Sequence, residues 1–133
     1  MAIVNRKARK FIDFDLNFQS DLQTKDLVES ENENAVKQSI KNLILTKNYE
    51  RKFHPEIGCQ VYSLMFENFT PATKNIMERT ISDAINNFEP RATLIRVDIV
   101  DNQDSNEIDV TVEFKMANIP NPLVITQSLT RAR

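Results

Sequence analysis

The feature that most constrains the fold is an unbroken alternation of apolar and polar residues near the C-terminal end of the chain. The apolar positions of this segment are Ile108, Val110, Val112, Phe114 and Met116. A period of two is typical of a β-strand that buries one face and exposes the other. Ile95, Val97 and Ile99 show the same period, and a polar turn at residues 101–106 separates the two segments. The sequence therefore predicts an antiparallel hairpin, with residues 123–126 as a third strand.

The N-terminal part of the chain predicts one further strand and a first helix. Residues 11–18 alternate between apolar and polar side chains, which predicts a half-buried strand. Ser30 and Glu33 have the spacing of a capping box, with Ser30 as the N-cap. The helix that follows is predicted to end near Asn48. Its apolar stripe consists of Val36, Ile40, Leu43 and Ile44.

Two more helices are predicted before the hairpin. Residues 61–69 are apolar on nearly every side, which favours a short buried helix. Thr70 and Pro71 fit an N-cap followed by proline at the first helical position. Pro90 ends this long helix, because proline pushes the preceding residue out of helical geometry. The apolar face of the long helix consists of Met77, Ile81, Ala84, Ile85 and Phe88.

These elements predict an α+β fold, a single compact domain with about three helices packed on a mainly antiparallel sheet with a C-terminal β-hairpin. The length of 133 residues and the hydrophobic fraction of 41% suit one core. We expect residues 1–10 to form a flexible basic arm and residues 11–133 to form the domain. No apolar run approaches the ~18 residues of a membrane helix, and no signal-peptide pattern is present. We therefore expect no membrane contact, and a chain that folds and works in a cytoplasm or is packed into a particle assembled there.

Residues that could carry chemistry are sparse. The chain has one glycine, one cysteine and one histidine, which excludes glycine-rich phosphate loops and a zinc site built from cysteine and histidine alone. His54 and Cys59 could form a nucleophilic pair, but a loop histidine and a small buried thiol are favoured. Glu56, Glu67 and Glu89 could supply the paired carboxylates of a glycosidase, but their spacing selects no pair. We expect no enzyme, no catalytic residue, no cofactor, no metal and no small-molecule substrate.

Basic residues near the two chain ends raise the question of nucleic-acid binding. Residues 6–10, Arg131 and Arg133 could contact phosphates. The net charge is −2, and neither an aromatic platform nor a recognition helix accompanies these residues. Solvated tails are therefore favoured, and we expect no nucleic-acid partner.

The corner formed by Glu89, Pro90 and Arg91 has two interpretations. Pro90 fixes the backbone, and the two neighbouring charged side chains are expected to diverge along an extended chain. The corner is then either a solvated helix stop, where an exposed ion pair is worth ~0–1 kcal/mol, or a rigid two-charge plug for another protein. Composition alone does not decide between them.

An ordered series of short motifs resembles one protein family. The motifs are Phe53-His54-Pro55-Glu56-Ile57-Gly58-Cys59, Leu64-Met65-Phe66-Glu67-Asn68-Phe69-Thr70-Pro71, Glu78-Arg79, Ala84-Ile85 and Asn87-Phe88-Glu89-Pro90-Arg91. Their order and spacing resemble the baseplate wedge proteins that initiate the sheath in T-even-like contractile-tailed phages, a family that includes TssE of type VI secretion. The resemblance is dense from about residue 35 to residue 100 and weak in residues 1–30. Ile57 departs from the aromatic residue usual before the glycine, and residues 47–52 lack the usual glycine-containing turn.

The resemblance implies a structural role in a virion. In that family the corner, here Glu89, Pro90 and Arg91, docks on the helical core bundle of other wedge proteins, and the strands form a template for the first sheath ring by strand exchange. The predicted hairpin can leave backbone donors free at an edge for this purpose. The implied partners are wedge core-bundle proteins, the sheath protein and other baseplate subunits, in a tail baseplate assembled in the host cytoplasm. On this basis Arg91→Ala is expected to leave the isolated domain folded.

Three alternatives remain open. The chain could be a baseplate-associated lysozyme-like hydrolase, a TssE-type secretion baseplate subunit, or an anti-adaptor in regulated proteolysis with the same fold. Hydrolysis of cell wall that is lost on Glu67→Gln or Glu56→Gln would indicate the first. Recovery of protease-delivery factors in place of virion proteins would indicate the last.

Overall fold

The computed structural model describes residues 11–14, 19–23, 25, 29–117 and 119–131. The strands are β1 (Ile12–Phe14), β2 (Glu29–Glu31), β3 (Ala92–Asn102), β4 (Glu107–Met116) and β5 (Ile119–Thr130). The helices are α1 (Glu33–Leu45), α2 (Val61–Leu64) and α3 (Pro71–Phe88). β1 and β2 form a two-stranded ribbon, and β3, β4 and β5 form an antiparallel sheet in that order. The predicted α+β class, with three helices and a mainly antiparallel sheet, is confirmed.

β4 is the central strand of the sheet, and its alternation places one apolar face in the core. Its five apolar residues are all buried, namely Ile108, Val110, Val112, Phe114 and Met116. Val112 lies opposite Val97 of β3 and opposite Ile125 of β5. The predicted hairpin is confirmed. Because β4 pairs on both sides, the outer edges of this sheet belong to β3 and β5.

β5 is longer than the predicted segment of residues 123–126. It begins at Ile119 and includes Pro120 and Pro122. Proline fits a strand only where its missing N–H would face away from the ladder. The edge position of β5 therefore explains how a proline-containing segment continues the sheet.

A β-bulge changes the burial pattern at the start of β3. The register with β4 shifts between Leu94 and Arg96. A bulge inserts one extra residue and reverses the alternation on one side of it, so Ile95 is exposed while Val97 and Ile99 are buried. The prediction that these three apolar residues share one face is wrong for Ile95.

α1 begins without the predicted capping box. Ser30 lies in β2, so it does not cap the helix. The residue before the helix is Asn32, which has a φ of 49° and makes no side-chain cap. Asn32 Oδ1 instead accepts a hydrogen bond from the Phe11 amide at 3.2 Å, and the Asn32 amide donates to the Phe11 carbonyl at 2.7 Å. Asn32 thus holds the start of the chain's first strand against the helix.

α1 also ends earlier than predicted. Its last residue is Leu45 and not Asn48, because Thr46 has extended backbone angles, with a φ of −81° and a ψ of 125°. The Thr46 hydroxyl and amide both donate to the Asn42 carbonyl, at 2.6 and 2.9 Å. The whole of the predicted apolar stripe is buried, together with Ala35.

α2 is a single turn and does not extend over residues 61–69. Val61 and Met65 are buried, but Phe66 is exposed. The chain leaves the helix because the following residues approach α3, where the Asn68 carbonyl accepts a hydrogen bond from the Thr73 hydroxyl at 3.0 Å. The predicted buried helix is therefore correct only for its first turn.

α3 agrees with its prediction. The Thr70 hydroxyl accepts a hydrogen bond from the Thr73 amide at 3.2 Å, and Pro71 is the first helical residue. Lys74 Nζ lies 3.0 Å from Asp98 Oδ1 of β3, so this ion pair ties the helix to the sheet. The buried face includes Met77, Ile81, Ala84 and Ile85.

The β1–β2 ribbon lies against α1, outside the three-stranded sheet. Ile12 and Phe14 of β1 are both exposed, so the predicted half-buried strand does not bury these two side chains. The rest of that predicted strand, residues 15–18, lies outside the described residues, as does the predicted arm of residues 1–10. In the described part of the chain, no helix has both the length and the apolar character needed to cross a membrane.

Candidate protein-binding site

The candidate corner is a tight turn that joins α3 to β3. The Glu89 amide donates to the Ile85 carbonyl at 2.9 Å and so closes the helix. The Ala92 amide donates back to the Glu89 carbonyl at 3.2 Å, which makes residues 89–92 a β-turn. Pro90 is the second residue of this turn, where its fixed φ is favourable. The backbone of the corner is therefore held at both ends.

The two charged side chains of the corner bind each other. Arg91 Nε donates to Glu89 Oε1 at 2.6 Å, and Arg91 Nη2 donates to Glu89 Oε2 at 2.7 Å, which is a bidentate pair. The expectation that Glu89 and Arg91 diverge is wrong, because the chain reverses at Pro90 and brings the residues on either side of it together. The Glu89 side chain is 2% exposed and that of Arg91 is 25% exposed. The corner presents one guanidinium held by an internal carboxylate.

Burial and pairing act in opposite directions on the Glu89 carboxyl. Burial raises its pKa. Hydrogen bonds from Arg91 and Ser39 and the positive charge of Arg91 lower the pKa by more than burial raises it, so the pKa lies below its usual value. The hydrogen bond to Glu89 raises the pKa of Arg91, against the effect of desolvation. Both groups are therefore charged at neutral pH, and the charge of Glu89 is neutralised inside the domain.

The N-terminal strand covers part of Arg91. The guanidinium carbon of Arg91 lies 5.8 Å from the centroid of the Phe11 ring, within the range of a cation–π interaction. Besides Glu89, the negative charge of Asp13 raises the pKa of Arg91. Sequence reasoning missed Phe11, Asp13 and Ser39 as neighbours of the corner, because they come from distant parts of the chain and carry no local signal.

Three of the candidate catalytic groups have pKa values that do not suit the proposed chemistry. A glycosidase needs one carboxyl group of raised pKa, but the backbone amide of Glu56 and the His54 side chain lower the pKa of Glu56, and the pKa of Glu89 is lowered too. Burial raises the pKa of Cys59 to about 11, so it stays a thiol, whereas nucleophilic cysteines are thiolates. His54 and Glu67 are exposed. The predicted loop histidine and buried thiol are confirmed.

Arg131 belongs to the end of the sheet. Its Nη2 lies 3.1 Å from Asp101 Oδ1, and its amide donates to the Asn106 carbonyl at 2.9 Å. The prediction of a solvated tail is therefore wrong for Arg131, while residues 6–10 and Arg133 lie outside the described residues. In the part of the chain that the structure describes, no cluster of His, Cys, Asp and Glu is placed to hold a metal ion.

One side of the β5 backbone is open. The Arg131 amide, just after β5, points toward β4, where it donates to the Asn106 carbonyl. Backbone amides alternate in direction along a strand, so the odd-numbered residues of β5 donate toward β4. The amides of Val124, Thr126 and Ser128 point the other way. Within the described residues, no other strand pairs with that side of β5.

The prolines of β5 restrict the open side to the second half of the strand. Pro122 has an even number, so the N–H group that it lacks would have pointed away from β4. The register with β4 shifts between Leu123 and Ile119, so the alternation is not extended to Pro120, which also has no N–H to donate. Proline at such positions is a common protection of sheet edges against unwanted pairing. We refer to residues 123–130 as the open half of β5.

Comparison with known proteins identifies the family. The family model described as baseplate wedge protein gp25 matches residues 30–121, which include the corner and most of the sheet. The chain belongs to this family. Baseplate wedge protein gp25 of Enterobacteria phage T4 is 32% identical over 99 residues, which are 74% of this chain and 75% of that protein. The resemblance that the motifs indicated is confirmed.

Solved structures share the fold. A proposed tail lysozyme from Geobacter sulfurreducens has a TM-score of 0.73 at 19% identity, over 80% of this chain and 97% of that chain. A chain of the anti-feeding prophage baseplate has a TM-score of 0.73 at 24% identity, over 84% of this chain and 90% of that chain. A chain of the type VI secretion baseplate complex has a TM-score of 0.60 at 14% identity, over 71% of this chain and 90% of that chain. At these identities the likeness concerns the fold.

Family membership decides the broad role of the protein. It is a baseplate subunit, and its place is the baseplate of a contractile phage tail. Its phage T4 relative is a wedge protein, which favours a structural role. The corner at Glu89, Pro90 and Arg91 lies inside the matched segment.

Proposed function

We propose that this protein docks on the core bundle of a baseplate wedge through the corner at Glu89, Pro90 and Arg91, and starts sheath polymerisation by strand exchange at the open half of β5. Its partners are then the wedge core-bundle proteins, other baseplate subunits and the sheath protein, which it joins in the host cytoplasm. The role is binding without catalysis. The lowered pKa of Glu56 and the raised pKa of Cys59 support this.

The open half of β5 is the observation that carries the proposal. Val124, Thr126 and Ser128 direct three backbone amides away from the sheet, and a strand from another protein can pair there without any pocket. Charged side chains commonly protect natural edges from such pairing, but none of the 12 residues of β5 is charged. The open half of β5 therefore has the backbone groups for strand addition and lacks the charged side chains and prolines that protect other edges.

The corner supplies a fixed positive group. A guanidinium has five N–H donors, and the two bonds to Glu89 leave the others for a partner. Because Glu89 is buried, it positions Arg91 and does not itself reach the partner. The expected two-charge plug is thus replaced by a single oriented cation, and the docking surface should offer carboxylate or carbonyl oxygens to it.

Thr126→Pro tests the strand exchange. The substitution removes an outward amide and leaves the hydrogen bonds to β4 in place. The domain should therefore fold and join baseplates, but those baseplates should not start a sheath, as judged by electron microscopy of tails. Thr126→Val is the matched control, because it keeps the amide and the branched shape and loses the hydroxyl.

A proline at the neighbouring position tests whether the effect depends on which side of β5 loses its amide. Gln127→Pro removes an amide that faces β4, so it should destabilise the isolated domain, whereas Thr126→Pro should not. If Thr126→Pro baseplates start sheaths as often as those with Thr126→Val, strand addition at β5 is refuted.

Pro90→Glu tests the docking corner. Pro90 is exposed, so the new carboxylate adds negative charge beside Arg91 without removing the Glu89 pair. The variant should fold but fail to co-sediment with the wedge core-bundle proteins. Asn75→Glu, at an exposed position of α3, adds the same charge elsewhere and should bind normally. Equal binding by the two variants would show that the corner is not the docking surface.

A further inference from the structure

The loop between α1 and α2 displays two aromatic rings to solvent. We refer to residues 46–59 as the aromatic loop. Tyr49 is 81% exposed and Phe53 is 91% exposed, although each such ring can bury roughly 150–250 Å² against a partner. Single exposed apolar residues are ordinary on protein surfaces. The backbone and the charges of this loop are what distinguish it.

Backbone hydrogen bonds hold the aromatic loop in one shape. The Cys59 amide donates to the Thr46 carbonyl at 2.8 Å and joins the two ends of the loop. The Tyr49 amide donates to the Pro55 carbonyl at 3.0 Å and closes the part that contains Phe53. Residues 49–56 are all exposed, so the tip of the loop is a defined projection from the surface.

Tyr49 has a strained backbone within this projection. Its φ is 68°, a region that aromatic residues rarely occupy and that costs ~1–3 kcal/mol. Tyr49 lies within the turn of residues 47–50. The Glu50 amide donates to the Lys47 carbonyl at 3.2 Å, and the Lys47 amide donates to Glu50 Oε2 at 2.9 Å. The domain thus maintains a strained turn at Tyr49, and the ring of this residue is exposed to solvent.

The two acids of the aromatic loop have partners, whereas the described part of the chain offers none to the two cations at its tip. The Glu50 carboxylate accepts from a backbone amide of the loop, and Glu56 Oε1 lies 3.1 Å from His54 Nδ1. Arg51 and Lys52 have no ion-pair or hydrogen-bond partner among the described residues. The projection therefore carries two rings and two unpaired positive charges.

We propose that the aromatic loop is a second protein-binding surface, and that its partner is an apolar groove on another protein with Asp and Glu side chains at the rim. The groove would bury Tyr49 and Phe53, and the rim carboxylates would pair with Arg51 and Lys52. Single-stranded nucleic acid also binds rings and cations, but the net charge of −2 and the two acids of the loop disfavour it. This surface is separate from the corner and from the open half of β5, and it requires neither of their proposed roles.

Photo-cross-linking in assembled baseplates locates the partner. The full chain carries p-benzoylphenylalanine in place of Phe53, or in place of Ile76 as the control, since Ile76 is an exposed apolar residue of α3. The probe at position 53 should cross-link several-fold more to another protein, at a site where apolar residues are flanked by Asp or Glu. Cross-links to nucleic acid, cross-links to a site without carboxylates, or a yield no higher than at position 76 would each overturn the proposal.

Charge exchange then tests the rim. Arg51→Glu combined with Lys52→Glu should weaken binding to the cross-linked protein about tenfold, and reversal of its rim carboxylates to Lys should restore binding. Tyr49→Ala combined with Phe53→Ala should weaken it by about 30-fold or more. All four side chains are exposed, so circular dichroism should show folded variants. Wild-type affinity in either double variant, or no restoration by the charge exchange, would overturn the proposal.

Discussion

Glu89 is a buried charged residue, with a side chain that is 2% exposed. A buried carboxylate is costly unless it is paired and hydrogen-bonded, and Arg91 and Ser39 meet that requirement. The outer side of Arg91 still reaches solvent, so one residue neutralises a buried charge and also faces the surface. A partner that drew Arg91 away from Glu89 would destabilise the domain. A docking partner should therefore bind the guanidinium from its outer side.

Removal of Arg91 should destabilise the isolated domain. Arg91→Ala leaves the Glu89 carboxylate buried without its partner, which should lower the free energy of unfolding by about 3–5 kcal/mol. Glu89→Gln should cost less, about 1–3 kcal/mol, because Arg91 can turn toward solvent. Urea unfolding of the full chain measures both. The sequence led us to expect that Arg91→Ala leaves the isolated domain folded, and the buried pair adds the expectation that the folded variant is less stable.

The control for this comparison is a surface arginine. Arg79 is mostly exposed and lies 4.0 Å from Asp83, so Arg79→Ala should change the free energy of unfolding by less than about 0.5 kcal/mol. Equal effects of Arg79→Ala and Arg91→Ala would show that the internal pair contributes nothing to stability.

The internal pair should also make stability depend on pH in the acid range. The pKa of Glu89 in the folded domain lies below its usual value of 4.5. The carboxylate therefore stabilises the fold fully above that value, and the stabilisation is lost as pH falls toward the folded-state pKa, because the unfolded chain binds a proton first. The free energy of unfolding should fall more steeply below about pH 4.5 for the wild type than for Glu89→Gln. Parallel curves for the two proteins would contradict this.

At the level of the elements, the sequence predicts those whose limits are local and misses those that depend on distant contacts. α3 is predictable because its cap at Thr70 and its stop at Pro90 act on the adjacent residues. The start of α1 is not, because Asn32 is bound by Phe11, which is distant in sequence and reaches Asn32 through the pairing of β1 with β2. The exposure of Ile95 also escapes prediction, because pairing with β4 decides where the bulge lies.

The candidate site also has features that depend on adjacent residues and features that depend on distant contacts, and only the first are predictable from the sequence. The motif locates the corner, but the pairing of Glu89 with Arg91 depends on the turn geometry and on burial by α1. The open half of β5 could not be predicted, because the direction of its amides depends on the register of β5 with β4. The hydrogen bond from the Arg131 amide to the Asn106 carbonyl fixes that register. The sequence predicts that the prolines of β5 prevent a helix. Their effect on the edge of the sheet can be recognised only when the strand order is known.

Gly58 lies near the end of the aromatic loop and packs closely against Lys47 and Asn48 at its start, so its substitution should loosen the loop where it leaves α1. Its φ is +155°, and a Cβ there would lie 2.8 Å from the Lys47 carbonyl carbon and from Asn48 Oδ1. Because backbone atoms cannot move aside, Gly58→Ala should lower the free energy of unfolding by about 1–3 kcal/mol. Thermal unfolding measures it, with Gln60→Ala at an exposed position as the control. Identical melting of the two variants would mean that the loop is not packed against α1 in this way.

At the scale of the whole molecule, the corner lies at one end of the sheet, and the open half of β5 extends from the level of Leu94 to the other end. Ala92, beside the corner, is in register through Met116 with Ile119, at the proline-containing start of β5. Ser128 is in register across β4 with Val100, at the other end of β3. The path along β3 between these two levels is about 26 Å. A partner bound at the corner therefore leaves the strand edge accessible to a second partner.

This separation predicts that variants of the two surfaces differ in dominance. A Thr126→Pro subunit keeps its corner, so in cells that also make the wild type it should occupy wedges and reduce the number of sheathed tails in proportion to its share. A Pro90→Glu subunit does not dock, so it should leave the wild-type tails unaffected. The double variant should be as harmless as Pro90→Glu, because docking has to precede strand addition. Counting sheathed tails by electron microscopy at matched expression measures all three.

The double variant is the decisive one of these three proteins. If it reduced sheath formation as much as Thr126→Pro alone, the subunit would be acting without docking, through binding of sheath protein in solution, and the corner would not be required for that interference. If Thr126→Pro itself had no effect beside the wild type, a baseplate with mixed subunits would not depend on each β5 edge. The predicted outcome, a dominant effect of Thr126→Pro and a recessive effect of Pro90→Glu, arises only if the corner anchors the subunit while the open half of β5 recruits the sheath.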